Sequence, residues 1–226
     1  MVDWINTLKG SIARKTPLGV NKVYVKAKEF AVKLHQQDHP RSSGRVPPGQ
    51  TVTQGFPVLD LGIRPEFNPR TFRFRVYGSV SQECLLTYDQ VVKLPSKEFT
   101  EDFHCVTSWS KFDVTWKGIS FSEIIKLVNP LPSWKFLVQE GLDGYTTNVP
   151  RADIEKKNVF IAFQLDGKPL PQEHGWPLRL IIPHLYGWKG SKFLTALKFV
   201  EKDEPGFWEV RGYHDHGDAF KEERYS

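Results

Sequence analysis

The sequence predicts an α+β fold: strand-rich mixed sheets with short inserted helices. Three observations carry this. Segments rich in β-branched and aromatic residues recur through the second half of the chain, the helical segments between them are short, and neither an internal repeat nor a regular strand-helix alternation is visible. A doubly wound nucleotide-binding sheet is disfavoured for the same reason.

Residues Asn21 to Gln37 contain few helix breakers and precede the turn-rich His39-Pro-Arg-Ser-Ser-Gly44, so residues 1–44 read as a helical arm with a linker. Residues 45–226 are expected to form one main domain. Thr71-Phe-Arg-Phe-Arg-Val-Tyr77 alternates apolar and basic side chains, as a half-exposed strand does, until Gly78 breaks it. Thr87 can cap a short helix that ends before Pro95. Ser120 and Glu123 form a capping-box pattern ahead of a helix over Phe121 to Val128. Strands follow at Trp134 to Gln139, Val159 to Leu165, Leu178 to Ile182 and Phe193 to Val200, with Asp166-Gly167 as a turn.

Composition narrows the function. With 226 residues, 39% hydrophobic and 13% aromatic, the chain can bury a substantial core and is not compositionally disordered. Its net charge of +5 is spread among nearly as many acidic groups, which argues against nucleic-acid binding and leaves a few cations for a small anionic ligand. No segment approaches the roughly 20 apolar residues of a membrane span. Met1-Val-Asp-Trp-Ile-Asn6 lacks the charged start and apolar run of a secretory signal, so a cytoplasmic location is expected. The only cysteines, Cys84 and Cys105, are too few for a disulfide scaffold or a four-thiolate zinc site.

Cys105 lies beside His104 and is followed by Trp109 and Lys111; positive surroundings favour a thiolate, which binds soft metals or attacks electrophiles. The bland alternative is a small buried hydrophobe. His174, Arg179, Tyr186 and Lys189-Gly-Ser-Lys192 combine a planar guanidinium, point charges and glycines in a way that suits a phosphate, although basic loops flanking a strand read the same way. Asp143 lies in a glycine-bearing turn and could accept hydrogen bonds from a polar heterocycle. His214-Asp-His216 offers paired imidazoles but too few ligands for a complete metal site.

Eight words stand in register over residues 45 to 226: Pro47-Pro-Gly-Gln50, Gly55-Phe-Pro-Val-Leu59, Asp102-Phe-His-Cys-Val-Thr-Ser-Trp-Ser110, Trp116-Lys-Gly118, Gly144-Tyr-Thr-Thr-Asn148, Glu173-His-Gly-Trp-Pro-Leu-Arg179, Pro183-His-Leu-Tyr186 and Asp203-Glu-Pro-Gly-Phe-Trp-Glu209. Together they resemble the stand-alone sulfite-oxidase-like oxidoreductases, molybdopterin-binding domains of the sulfite oxidase superfamily. The resemblance implies a molybdopterin (molybdenum) cofactor, with Cys105 as the single protein sulfur on the metal. It implies that His174, Arg179 and Gly190-Ser191-Lys192 hold the pterin and its phosphate, that Asp143, Phe56 and Val58 line the cofactor, and that Tyr213 stands near the substrate.

Trp109, Lys111 and Tyr186 are expected to shape the substrate mouth, by their nearness in sequence to Cys105 and the phosphate loop. The implied chemistry is oxygen-atom transfer on a small substrate such as sulfite or an S-oxide, with an external electron carrier. Sulfite oxidases place arginines soon after the cysteine and carry a dimerisation domain. Here Val106-Thr-Ser-Trp-Ser-Lys111 lacks arginine, and Ser-Trp-Ser resembles protein-methionine-sulfoxide reductases. A monomer is expected. The competing readings are a metal-free cysteine nucleophile and a redox-inert binding module. His104 makes a poor base for Cys105, because adjacent strand residues face opposite sides.

Overall fold

The structure, a computed structural model, describes residues 44–59, 62 and 64–226; the arm expected over 1–44, apart from Gly44, lies outside the described residues. Two sheets dominate. The first contains β1 (Thr51–Val52), β4 (Lys97–Cys105), β5 (Trp109–Ser120), β8 (Phe160–Leu165), β9 (Lys168–Pro169) and β10 (Arg179–Ile181). The second runs in the order β3 (Cys84–Leu86), β2 (Phe74–Gly78), β11 (Leu194–Val200), β6 (Phe136–Gly141) and β7 (Thr146–Pro150). Among the described residues three short α-helices, α1 (Tyr88–Val92), α2 (Phe121–Val128) and α3 (Arg151–Ile154), connect strands. The α+β architecture is as the sequence predicts.

The long strand β5 organises the first sheet. Its partner along one edge is β4, from Lys97↔Gly118 to Cys105↔Trp109. On the other edge β1 pairs in parallel with its first residues, and β8 pairs antiparallel with its last. The β4–β5 hairpin therefore carries Cys105 to the end of the sheet, next to β1.

Burial explains why the strands read as they do. In β8 the run Phe-Ile-Ala-Phe is buried throughout, because its two faces meet different apolar clusters. Ile161 and Phe163 join the large core with Phe74 and Val76 of β2, Ile124 of α2 and Leu197 and Phe199 of β11. Phe160 and Ala162 join a smaller cluster with Phe99, Phe103, Trp109 and Trp116. Cys105 and Phe56 pack against that smaller cluster, so the candidate site rests on the outer face of the first sheet.

Local signals were mostly sound. Thr87 caps α1 through a reciprocal bond with Gln90. The capping box expected at Ser120 is absent: this residue ends β5 opposite Phe160, and its hydroxyl meets Ser122 Oγ at 2.9 Å instead of a helix N–H. Asp166 and Gly167 both take positive φ, 49° and 72°, and form the tight turn between β8 and β9.

Candidate active site

Cys105 stands at the last pair of the β4–β5 hairpin, where Val106, Thr107 and Ser108 turn the chain and Ser108 takes φ 70°. The turn is held from both sides. Ser108 N–H and Gln50 Nε2 both donate to the Cys105 carbonyl, at 3.1 and 3.0 Å. The thiol lies 3.2 Å from Thr107 Oγ1. Burial pushes the Cys105 thiol up, while Thr107 and the Arg179 and Lys192 cations pull it back toward the thiolate.

Arg179, the first residue of β10, is the most unusual group nearby. Its side chain is buried at 3% exposure and stacks over Phe103 at 4.8 Å; its one assigned hydrogen bond runs from Nη1 to the His174 carbonyl at 3.2 Å. Its Nε has no partner, and among the described residues no carboxylate pairs with it. Burial lowers its pKa to about 10, so it stays protonated at neutral pH. A cation in this position is a preformed receptor for an anion.

Phe56 fills the space between these groups. Its ring lies 4.4 Å from that of His174, 5.1 Å from Phe103 and 5.9 Å from Trp109, centroid to centroid. His174 follows Pro171 in a single 3-10 turn; burial, then Arg179 and Lys192, lower its pKa to about 4, so it is neutral. Lys192 Nζ ties the segments together by donating to the carbonyls of Leu59 and Glu173, each at 2.8 Å. Asp143 accepts from Tyr145 N–H in a turn packed on Gly141, whose other neighbours are Ser191 and Lys192. Val58 is half-buried on the Phe56 segment.

Other expected residues are engaged by partners within the protein. The Lys189 ammonium is fully buried and donates to Asn148 Oδ1, Glu209 Oε1 and the Asp215 carbonyl, which uses all three of its protons inside the protein. Ser191 N–H goes to Gln139 and its hydroxyl to the Lys192 carbonyl. Gly190 is closed off by the Leu180 carbonyl, 2.2 Å from where a Cβ would sit. His104 faces away from Cys105: its Nδ1 pairs with Ser110 Oγ at 2.8 Å, its ring meets Phe220, and burial lowers its pKa to about 4. Trp109 is buried behind the site, and Lys111 donates to the Gln54 carbonyl at 2.8 Å. The imidazole of His216 lies between Asp153 and Glu223, and among the described residues no group of three such side chains is placed to hold a metal ion.

Tyr186 pairs with His104 through a parallel bridge and is buried with an unpartnered hydroxyl. Gly187, the next residue, lets the chain pass Phe103, since a Cβ there would lie 2.2 Å from the ring. Tyr213 packs edge-on or tilted among Trp188, Trp208 and Tyr225. Four contributors were not expected from the sequence. Gln50 and Thr107 sat inside noted words without a role; Arg224 and Tyr225 lie in a polar tail that gives no local signal, yet Arg224 donates to the Val106 carbonyl and the Tyr225 ring packs on Tyr213 at 5.1 Å.

One soft sulfur, a buried unpaired guanidinium, a second cation and a neutral imidazole make a donor set for an anionic, metal-bearing group. The fold and this site define a molybdopterin-dependent oxidoreductase of the sulfite oxidase superfamily: residues 61–208 match the oxidoreductase molybdopterin binding domain family, and the chain belongs to it. It is 38% identical over 195 residues to the uncharacterized oxidoreductase YuiH of Bacillus subtilis (strain 168), covering 86% of this chain and 97% of that one. The protein-methionine-sulfoxide reductase catalytic subunit MsrP of Ralstonia nicotianae (strain ATCC BAA-1114 / GMI1000) is 26% identical over 165 residues, 66% of this chain and 50% of its own length. Among solved structures, the sulfane dehydrogenase SoxCD from Paracoccus pantotrophus superposes with a TM-score of 0.59 at 17% identity, over 84% of this chain and 54% of that one. The chain thus spans about half the length of the last two.

Proposed function

We propose that the protein binds the molybdenum cofactor with Cys105 as the ligand to the metal and reduces a small S-oxide with electrons from an external carrier. The observation that carries this reading is Arg179, a buried cation with an open Nε and, among the described residues, no carboxylate partner, within charge range of the Cys105 thiol. Arg179 binds the phosphate end of the pterin, with Lys192 and His174 beside it. Phe56, Phe103 and Trp109 form a dry apolar wall that strengthens these polar contacts. When bound, the cofactor supplies two-electron oxygen-atom transfer.

The rest follows from the chain's own residues. Lys111 is engaged by Gln54, and no arginine lies between Cys105 and Lys111, so the segment after the cysteine offers little to a free dianion such as sulfite. A neutral S-oxide needs less charge and is suited to a segment whose cation is already engaged by a backbone carbonyl. In its reduction the S–O bond breaks, sulfur gains two electrons from the carrier, and two protons leave with the oxygen as water. The relative's description as a catalytic subunit supports a separate electron-carrying partner.

A metal-free cysteine nucleophile is less well supported. Among the described residues the thiol bonds to Thr107 and to no imidazole, and His104 faces Ser110. The test is an assay of the loaded protein with a reduced viologen dye and a panel of sulfoxides, alongside sulfite with ferricyanide. Dye oxidation that depends on sulfoxide and on molybdenum is expected. Sulfite oxidation alone would reverse the assignment, and full activity without molybdenum would favour the nucleophile.

A further inference from the structure

The side chain of Arg224 is only 11% exposed, although it belongs to a polar terminal segment. Its guanidinium makes four engagements. Nη1 donates to the Val106 carbonyl, Nη2 to the Pro48 carbonyl at 3.3 Å, and its plane covers the Tyr186 ring at 4.9 Å. Glu222 lies 3.6 Å from Nε. One side chain thereby joins the Pro47-Pro-Gly-Gln50 turn, the turn after Cys105, and the Tyr186 ring.

The geometry at the sulfur depends on those joints. The Cys105 carbonyl is fixed by Gln50 and Ser108, and the next carbonyl, Val106, is fixed by Arg224. Thr107, whose hydroxyl reaches the sulfur, follows directly, so the orientation of the Val106–Thr107 peptide sets where that hydroxyl points. Gly49 shows how tightly the tail is seated. With φ 67°, a Cβ there would stand 2.7 Å from Glu222 Oε1 and 3.3 Å from Arg224 Nη2.

We propose that Arg224 is a positioning residue for Cys105: it locks the turn that presents the sulfur, and the terminal segment is thereby a working part of the site. The proposal rests on reading Cys105 as the metal ligand. A charged, bidentate clamp of this kind is made by arginine and only partly by lysine.

The test uses the full chain in a Cys84→Ser background, so that Cys105 is the only thiol. In protein made without molybdate, Arg224→Ala should speed alkylation of Cys105 by iodoacetamide by about tenfold or more, because the turn opens locally. Loss of the positive charge alone would slow that reaction, so the sign separates position from charge. Arg224→Lys should restore most of the protection, Gly49→Ala should mimic part of the loss, and both serve if the alanine variant does not fold. In loaded protein, Arg224→Ala should shift the molybdenum(V) electron paramagnetic resonance signal at unchanged metal content. Unchanged alkylation and an unchanged signal overturn the proposal, as does a fall in melting temperature without either effect. A Cys105→Ser variant with a wild-type signal would sink the ligand reading instead, and the alkylation rates would still decide the role of Arg224 in the turn.

Discussion

Replacing Lys189 with methionine separates a structural cation from a phosphate ligand. The ammonium is 0% exposed and lies 2.6 Å from Glu209 Oε1, which also accepts from Thr147 at 2.6 Å, while Glu209 Oε2 has no partner. Burial lowers the Lys189 pKa, and Glu209 opposes that shift, so the pair stands or falls together. Removing the lysine strands a buried carboxylate, which costs about 3–5 kcal/mol. For a chain of this length that is a drop in Tm on the order of 10 °C. Thermal and urea melts of Lys189→Met, Glu209→Gln and the double variant should show the double variant recovering much of the loss, a coupling expected of groups in direct contact. Pterin content per folded chain should be unchanged. A variant that melts like the wild type but releases its cofactor would refute this reasoning and return Lys189 to the phosphate role expected from the sequence.

Arg179→Met should have the opposite profile: cofactor-free protein as stable as the wild type or more so, because an unpaired buried cation is removed, with pterin retention lower by about tenfold or more. Destabilisation of the cofactor-free form with retention intact would contradict it. The third prediction concerns pH. His216 lies between Asp153 and Glu223, with His184, Lys156 and His214 also facing this cluster, and its pKa is raised by Asp153 first. Its contribution is therefore complete below about pH 6.5 and fades as pH rises through the raised value. The Asp153 carboxyl is held well below its usual range by His184, His216 and Lys156 against the cost of burial, so its contribution is present above about pH 4 and is lost as pH falls. The stability gap between wild type and His216→Gln, from urea melts across pH, should be widest between these limits; a gap that widens above pH 8 would count against it.

Much of the fold was legible because burial leaves a mark in composition. The run Val159 to Leu165 is apolar on both faces, and β8 is buried on both faces. The β4–β5 hairpin was harder to see, since its alternation is interrupted by irregular pairing between Glu101 and Phe103 and β4 begins with the exposed, charged Lys97 and Glu98. At the site, Cys105 lies far in sequence from His174 and Arg179, and only their places in the family's words connected them. Lys189 looked like its neighbour Lys192, but residues 187–189 form a single 3-10 turn that sends the first ammonium inward. Arg224 was illegible because its role depends on two carbonyls, Pro48 and Val106, more than a hundred residues away.

The central claim, that Cys105 and Arg179 together hold a molybdenum cofactor, is tested most directly by metal and pterin analysis. Protein would be expressed with molybdate in a cofactor-competent host, and wild type compared with Cys105→Ser and Arg179→Met. Near-stoichiometric molybdenum and pterin in the wild type are expected, with an altered metal spectrum in the serine variant and sharply reduced pterin in the methionine variant. A wild-type protein free of both, or a serine variant with an unaltered spectrum, would contradict the account.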